Sequence, residues 1–336
     1  MILIYGSKTD VSARKVSDEL AKRNVSYALV DTKDVLNQEK TTQLNHSLGS
    51  NGANPTFWIK NENQTVDLTE VSVIYVRNPS DVIIENRNTD ARLNGWVDRE
   101  FKNYVWETLE LLQCQWFPAK PSSIYTMENE KLKELYVAQE VGLSVPDTIV
   151  TNEPQRAIKF FQKHDGRIIS KRYSRPRIPF ENTEFAAPTQ PVSLRDIGFV
   201  KHVQYAPTLF QEYVPKLKEL RVTVVGNICV AAEIDSQQTH RTKHDWRTYD
   251  KKRTPHRVHN LPKDIQIKLI KLTKNRGLCY GTCDLVISPT GEYVFLEINP
   301  AGQYVWIENL INVDITKLIC DELIRLSDFQ SGNQLP

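Results

Sequence analysis

Long apolar runs and a strong charge bias are both missing from this 336-residue chain. No segment approaches the ~20 apolar residues that a membrane-spanning helix needs, and residues 1–10 lack the basic lead and apolar run of a secretory signal. The formal net charge is only +2, which by itself is too small to indicate a nucleic acid or a membrane surface as partner. We therefore expect a cytoplasmic protein with no nucleic-acid and no membrane partner.

The cysteines form no framework, and one stretch of the chain lacks glycine. The five cysteines are an odd number without short repeated spacings, which argues against the disulfide framework of a small secreted protein. None of the 13 glycines lies between residues 174 and 191, and we expect this Pro-containing stretch to be an exposed loop. The apolar content of 40% and the charged content of 25% are those of an ordinary globular protein, and the length allows two or three domains.

Hydrophobic periodicity predicts an α/β unit in roughly the first 118 residues. Short apolar runs indicate strands at 2–5, 27–30 and 71–76, and helical spacing indicates a helix at 93–112. The Asn-rich stretch 45–54 is interpreted as a loop of this unit.

The remainder of the chain alternates helices and strands at first and is then rich in strands. The pattern predicts helices at 128–141, 154–164 and 265–275, and strands at 145–150, 167–172, 220–225, 228–234, 280–287 and 293–298. We expect a fold with both α/β and α+β character, divided into residues 1–118, 119–206 and 207–336.

The strongest chemical signal is a hairpin near the C-terminus that carries Asp284, Glu297 and Asn299. Alternation puts Glu297 and Asn299 on one face of a strand, and pairing across a turn at Thr290-Gly291 would bring Asp284 near them. Two carboxylates and an amide oxygen suit Mg²⁺, which is usually held by one or two carboxylates plus substrate phosphates. The alternative is that these side chains are separate charges on a solvated sheet face.

Two lysines upstream fit a phosphate-bearing substrate. Lys131 opens a helix, and Lys171 ends an otherwise apolar strand from which it would meet phosphate as a point charge. The segment Gln211, Glu212, Tyr213 and Val214 is interpreted as a strand running into a linker whose backbone contacts an adenine edge. Glu219 then follows as a candidate acceptor for ribose hydroxyls, and Arg221 as a phosphate contact.

The order of these features resembles the ATP-grasp superfamily over roughly residues 117–326. The motifs that carry the resemblance are Glu130-Lys131, Ser170-Lys171, Gln211-Glu212-Tyr213-Val214, Glu219-Leu220-Arg221, Asp284 and Glu297-Ile298-Asn299-Pro300. More narrowly, the chain resembles the graspetide synthetases, the microviridin-type peptide macrocyclases, in Tyr75-Val76-Arg77-Asn78-Pro79, in Lys243-His244-Asp245-Trp246-Arg247 and in the long motif that begins at Phe295 and ends at Glu308.

This resemblance implies an N-terminal α/β domain, a central domain that contacts peptide, and a C-terminal domain with the magnesium residues, with ATP between the last two. It assigns ATP to Lys131, Lys171, residues 211–214 and Glu219, and magnesium to the hairpin side chains. The sequence departs from the wider superfamily because 174–191 has no glycine where many members carry a Gly-rich phosphate flap, and glycine gives a backbone the freedom to approach phosphate closely.

The basic stretch 241–259 admits several interpretations. Its aromatic residues among basic ones suggest RNA binding, its His pairs suggest zinc, and a solvated loop is the plainest reading. By the family resemblance, Lys243 and Arg247 would act with Arg221 in catalysis, binding the acceptor carboxylates and stabilising the transferring phosphoryl group.

The resemblance implies that the enzyme joins Asp or Glu side chains of a ribosomal precursor peptide, with a leader and an acidic, Thr-rich core, to Ser or Thr hydroxyls or to Lys amines through an acyl-phosphate. An ATP-grasp ligase that adds a free amino acid to a peptide or protein terminus would use the same nucleotide site and stays open. The oligomeric state is open as well, a homodimer included.

Overall fold

A computed structural model describes residues 1–31, 43–47, 56–60, 65–77, 91–171, 179–180, 183–184, 189–235 and 255–332. The chain groups into two compact units. Unit 1 comprises Met1–Ile124, Leu278–Tyr280 and Ala301–Pro336, and unit 2 comprises Tyr125–Gly277 and Gly281–Pro300. The three domains expected from the sequence, with boundaries at residues 118 and 206, stay a prediction.

The described elements are as follows. The strands are β1 (Ile2–Gly6), β2 (Tyr27–Asp31), β3 (Gln43–Ser47), β4 (Thr56–Lys60), β5 (Thr65–Asp67), β6 (Val73–Arg77), β7 (Gln115–Phe117), β8 (Thr148–Thr151), β9 (Ile168–Lys171), β10 (Pro179–Phe180), β11 (Thr183–Glu184), β12 (Gln190–Pro191), β13 (Thr208–Glu212), β14 (Lys218–Val225), β15 (Ile228–Ile234), β16 (His256–His259), β17 (Tyr280–Ile287) and β18 (Tyr293–Asn299). The α-helices are α1 (Val11–Lys22), α2 (Ala91–Glu110), α3 (Pro121–Met127), α4 (Lys131–Glu140), α5 (Pro154–Lys163), α6 (Leu194–Ile197), α7 (Lys263–Asn275), α8 (Val305–Ile311) and α9 (Ile315–Gly332).

Unit 1 is built on a parallel sheet with strand order β2-β1-β6-β7. Strand β1 is buried along its whole length, as its run of apolar residues predicts. At its end, a Cβ on Gly6 would lie 2.1 Å from the carbonyl oxygen of Arg77, so only glycine fits there. The side chain of Asp10 then caps α1 by accepting a hydrogen bond from the Ala13 amide at 2.9 Å.

Two sequence-based loop predictions are wrong within the described residues. The Asn-rich stretch begins inside β3, where Asn45 lies opposite Trp58 of β4 in a small antiparallel sheet. Its ladder of hydrogen bonds outweighs the low strand propensity of asparagine. The stretch 174–191 likewise contains β10, β11 and β12. The remaining residues of both predicted loops lie outside the described part of the chain.

Unit 2 contains two antiparallel sheets, with strand orders β12-β9-β13-β8 and β16-β15-β14-β17-β18. Helix α5 buries Ala157 and Phe160 in a cluster with Ile168 of β9 and Phe210 of β13. Helix α7 packs against β14 and β15, and α4 packs against β18. These mixed helices and sheets confirm the predicted fold class.

Helix α4 begins later than the sequence pattern indicates. A separate helix, α3, ends at Met127, and α4 starts at Lys131 with Glu130 as its N-terminal capping position. The Arg276 guanidinium donates to the Glu130 carboxylate at 3.0 Å, which fixes this helix start within unit 2.

Among the described residues, no helix combines the length and the apolar character needed to cross a membrane.

Candidate functional site

The hairpin of β17 and β18 places three oxygen-bearing side chains on one face. Asp284 lies opposite Glu297, and Thr282 lies opposite Asn299. Directly opposed residues and residues two apart share a face of an antiparallel pair, so Asp284, Glu297 and Asn299 all point to the same side. The register shifts after Asp284, where Leu285 pairs with Phe295, which leaves Leu296 as the extra residue of a β-bulge beside the site.

A buried arginine holds the first of these carboxylates. Arg221 on β14 donates through Nη1 to both oxygens of Asp284, at 2.8 and 2.9 Å. The two residues are only 7% and 8% exposed. Removing two such charges from water is costly unless they are paired, so each side chain depends on the other for a stable place in the fold.

The donor set of the hairpin fits a magnesium ion. It consists of two carboxylates and one amide, so every side-chain donor is an oxygen or can present one, as Mg²⁺ prefers. No group of three or more His, Cys, Asp or Glu side chains in the described ranges could enclose a metal. A site with so few protein ligands is typical of magnesium that is also bound by substrate phosphates.

A cleft within unit 2 brings most of the predicted site residues together. The lining residues that the sequence had indicated are Lys171, Gln211, Glu212, Tyr213, Val214, Glu219, Asp284 and Glu297. Lys171, the last residue of β9, lies opposite Leu209 of β13, and Gln211 and Glu212 are the last two residues of β13. The cleft therefore joins a lysine, the end of strand β13 and the two carboxylates of the hairpin.

Gln211 is the most deeply buried polar residue of this lining, at 1% exposure. Its Nε2 donates to the Thr148 hydroxyl at 2.9 Å. Its Oε1 accepts no hydrogen bond from any described residue. A buried acceptor in this state is suited to a ligand that brings an N–H group into the cleft.

Lys131 lines a smaller cavity beside the cleft. Lys171, Gln211 and Glu297 line both spaces, and Glu134 lines only the smaller one. The Glu134 carboxylate accepts a hydrogen bond from the Ile298 amide at 3.1 Å. Burial, which is the largest cause, and the charge of Glu297 together raise the pKa of Glu134 to about 8, against the opposing effect of Lys131.

Two charged residues of this region were missed by the sequence reasoning. Lys216 lines the cleft and donates to Glu219 at 2.9 Å, with both side chains 8% exposed. The spacing Lys216-x-x-Glu219 was the available signal. Glu134 was missed because a glutamate within a helix pattern ordinarily indicates a solvated position.

Of the remaining predicted site residues, the structure describes Asn299 but not Lys243 and Arg247. Asn299 lies on the same face of β18 as Glu297 but does not line the cleft. Lys243 and Arg247 lie outside the described residues. The functional assignments of all the site residues stay predictions.

Comparison with known proteins gives matches among solved structures. No protein-family model matches the chain, and no curated protein matches it. A RiPP-associated ATP-grasp ligase of Chryseobacterium gregarium, solved with ADP and a leader and core peptide, is 28% identical with a TM-score of 0.87, and 96% of each chain is covered. Macrocyclase MdnC of Microcystis aeruginosa, bound with precursor peptide MdnA, is 27% identical with a TM-score of 0.81, over 97% of this chain and 99% of that one. Macrocyclase MdnB of the same organism is 26% identical with a TM-score of 0.73, over 96% and 98%.

Proposed function

We propose that this chain, a member of the ATP-grasp ligases that macrocyclise ribosomal peptides, joins Asp or Glu side chains of a precursor peptide to Ser or Thr hydroxyls, as esters, or to Lys amines, as amides. The observation that carries the proposal is the single cleft that collects Lys171, the strand end at 211–214, Glu219, Asp284 and Glu297. Full-length similarity to peptide macrocyclases supports the same activity.

The chain's own residues bind and orient ATP. Lys131 and Lys171 meet the phosphates as point charges, the backbone of 211–214 contacts the adenine, and Glu219, held by Lys216, accepts from the ribose hydroxyls. Asp284, Glu297 and Asn299 hold magnesium. When bound, that ion neutralises phosphate charge during phosphoryl transfer.

The reaction proceeds in two steps. An Asp or Glu oxygen of the peptide attacks the γ-phosphorus of ATP, the bond to the bridging oxygen of ADP breaks, and an acyl-phosphate forms. A hydroxyl or amine of the same peptide then attacks the acyl carbon, loses its proton and releases phosphate. Because both reacting groups belong to one bound chain, positioning supplies much of the rate.

A leader segment that stays bound to the enzyme would keep several reactive side chains at high effective concentration. Successive closures then occur without full release of the peptide, and each removes the mass of one water. We propose the cytoplasm as the place of action, where ATP and newly made peptides are both available.

Release of ADP with and without peptide tests the proposal. The peptide to be sought for this assay is the product of a short reading frame near the gene, rich in Thr and in Glu or Asp, and its mass is followed in the same reaction. Glu297→Gln should keep a near-normal melting temperature without nucleotide and lose most ADP release. The matched control is Glu292→Gln, an exposed residue of the same hairpin, which should keep its turnover.

Two outcomes would contradict the proposal. Unchanged turnover in Glu297→Gln would reject the magnesium assignment. A peptide that gains the mass of an added amino acid would indicate instead a ligase acting on a peptide terminus.

A further inference from the structure

Glu134 is a buried carboxyl group that the reaction described above does not use. It lies on α4 one turn after Lys131 and is 8% exposed. Glutamate is seldom buried unless it is paired or hydrogen-bonded. Glu134 lies on the helix face that packs against β18. Its carboxyl group therefore needs a hydrogen-bond partner there.

That contact is with the backbone between two proposed magnesium residues. Glu134 Oε1 accepts the Ile298 N–H at 3.1 Å, and Ile298 is the residue between Glu297 and Asn299. Strand β18 lies at the edge of its sheet, and edge strands leave outward amides without a strand partner. The outward Phe295 amide meets the Ser144 carbonyl at 2.8 Å, whereas the Ile298 amide meets a side chain.

The side chain of Ile298 is fixed from a second direction. It packs over Gly281 of β17 so closely that a Cβ on that glycine would lie 2.9 Å from Ile298 Cδ1. Ile298 itself is 6% exposed. With its amide and its side chain both held, this residue has little freedom to rotate, and the flanking side chains on the opposite face are held with it.

We propose that Glu134 is a positioning residue, whose carboxyl oxygen holds the Ile298 amide so that Glu297 and Asn299 present their oxygens together to magnesium and nucleotide. The same hydrogen bond connects the helix that carries Lys131 to the strand that carries the magnesium residues. This inference rests on the proposed function, since it concerns the ligand of the same cleft.

The test compares two substitutions of Glu134. Titration calorimetry measures the affinity of each variant for ADP, with and without Mg²⁺. Glu134→Gln keeps an acceptor oxygen, whereas Glu134→Leu removes it. Loss of an outer partner of a metal ligand typically costs about 10- to 100-fold in metal affinity, so the Leu variant should bind ADP with Mg²⁺ weaker by about that factor. Metal-free ADP binding should change much less, and the Gln variant should bind as the wild type does.

A control variant and a replacement for the Leu variant complete the experiment. Glu140→Leu, at the exposed end of the same helix, should leave both affinities unchanged. Melting temperatures without ligand report folding, and Glu134→Ala, which adds no volume, replaces the Leu variant if that variant does not fold.

The inference is overturned if removal of the acceptor leaves binding of ADP with Mg²⁺ unchanged, or if the Gln variant is impaired as strongly as the Leu variant. Failure of the proposed function gives a different result, in which the wild-type protein itself neither binds ADP with Mg²⁺ nor releases ADP from ATP.

Discussion

The buried pair of Arg221 and Asp284 provides a prediction that separates stability from catalysis. Replacing Arg221 by Met leaves Asp284 buried at 8% exposure and takes away the guanidinium that now lies 2.8 and 2.9 Å from its oxygens. Breaking one side of a buried ion pair typically costs 3–5 kcal/mol. We expect Arg221→Met to lower the free energy of unfolding by about 4 kcal/mol.

The double substitution Arg221→Met with Asp284→Leu removes both charges. Because an apolar replacement of a buried pair is often close to neutral, the double variant should be about 4 kcal/mol more stable than Arg221→Met alone. With Asp284→Leu measured alone, the effects of the two single substitutions should therefore not add in the double variant. Turnover should be lost in both, since we assign Arg221 to catalysis and Asp284 to magnesium.

Urea unfolding measures these free energies, with Arg257→Met as the control. Arg257 also binds a carboxylate, that of Glu233, but its side chain is 66% exposed, so its loss should cost no more than about 1 kcal/mol. The reasoning is refuted if Arg221→Met costs less than the control variant, or if the effects of the two site substitutions simply add.

Three further predictions concern other residues of unit 2. Gly281→Ala should lower the free energy of unfolding by about 1–3 kcal/mol in urea unfolding, because its Cβ would meet Ile298 Cδ1 at 2.9 Å; an unchanged value would contradict the close packing. Lys171→Ala should weaken the affinity for ATP, measured by titration calorimetry, about tenfold or more, since hydrogen bonds to charged groups contribute roughly 1.5–3 kcal/mol. An unchanged affinity would show that this lysine does not bind ATP. Burial opposes ionisation of Glu233, but hydrogen bonds from neighbouring cations prevail and lower its pKa from 4.5 to about 2. Its stabilising effect is therefore present above about pH 4.5 and is lost as the pH falls toward 2, so the stability difference from Glu233→Gln should shrink across that window.

Strands β15 and β17 were the most predictable part of the fold. Residues 280–287 and 228–234 form strands with the predicted bounds, because both segments are mostly apolar and contain several β-branched residues, which favour a sheet. The turn between β17 and β18 was predictable as well, since Gly291 adopts a φ of +84°, which glycine accommodates without strain.

Burial of charge and exact strand register were not readable from the sequence. The bulge at Leu296 depends on how β18 meets β17 and α4 together, which no local pattern encodes. The contact of Glu134 with Ile298 arises between elements that tertiary packing brings together, whereas Lys216 and Glu219 are close in sequence and only the burial of their ion pair depends on that packing. The residue types and their spacing suggested the roles of the cleft residues but left a solvated sheet face as an alternative, and the family resemblance favoured those roles.

The most direct test of the account is the mass of the precursor peptide after incubation with purified enzyme, ATP and Mg²⁺. We expect a ladder of products, each lighter by the mass of one water, with fragmentation suppressed inside the linked region and with ADP released for every closure. Ester links should open in mild base, and amide links should survive. A peptide of unchanged mass, while another small acceptor supports ADP release, would contradict the account.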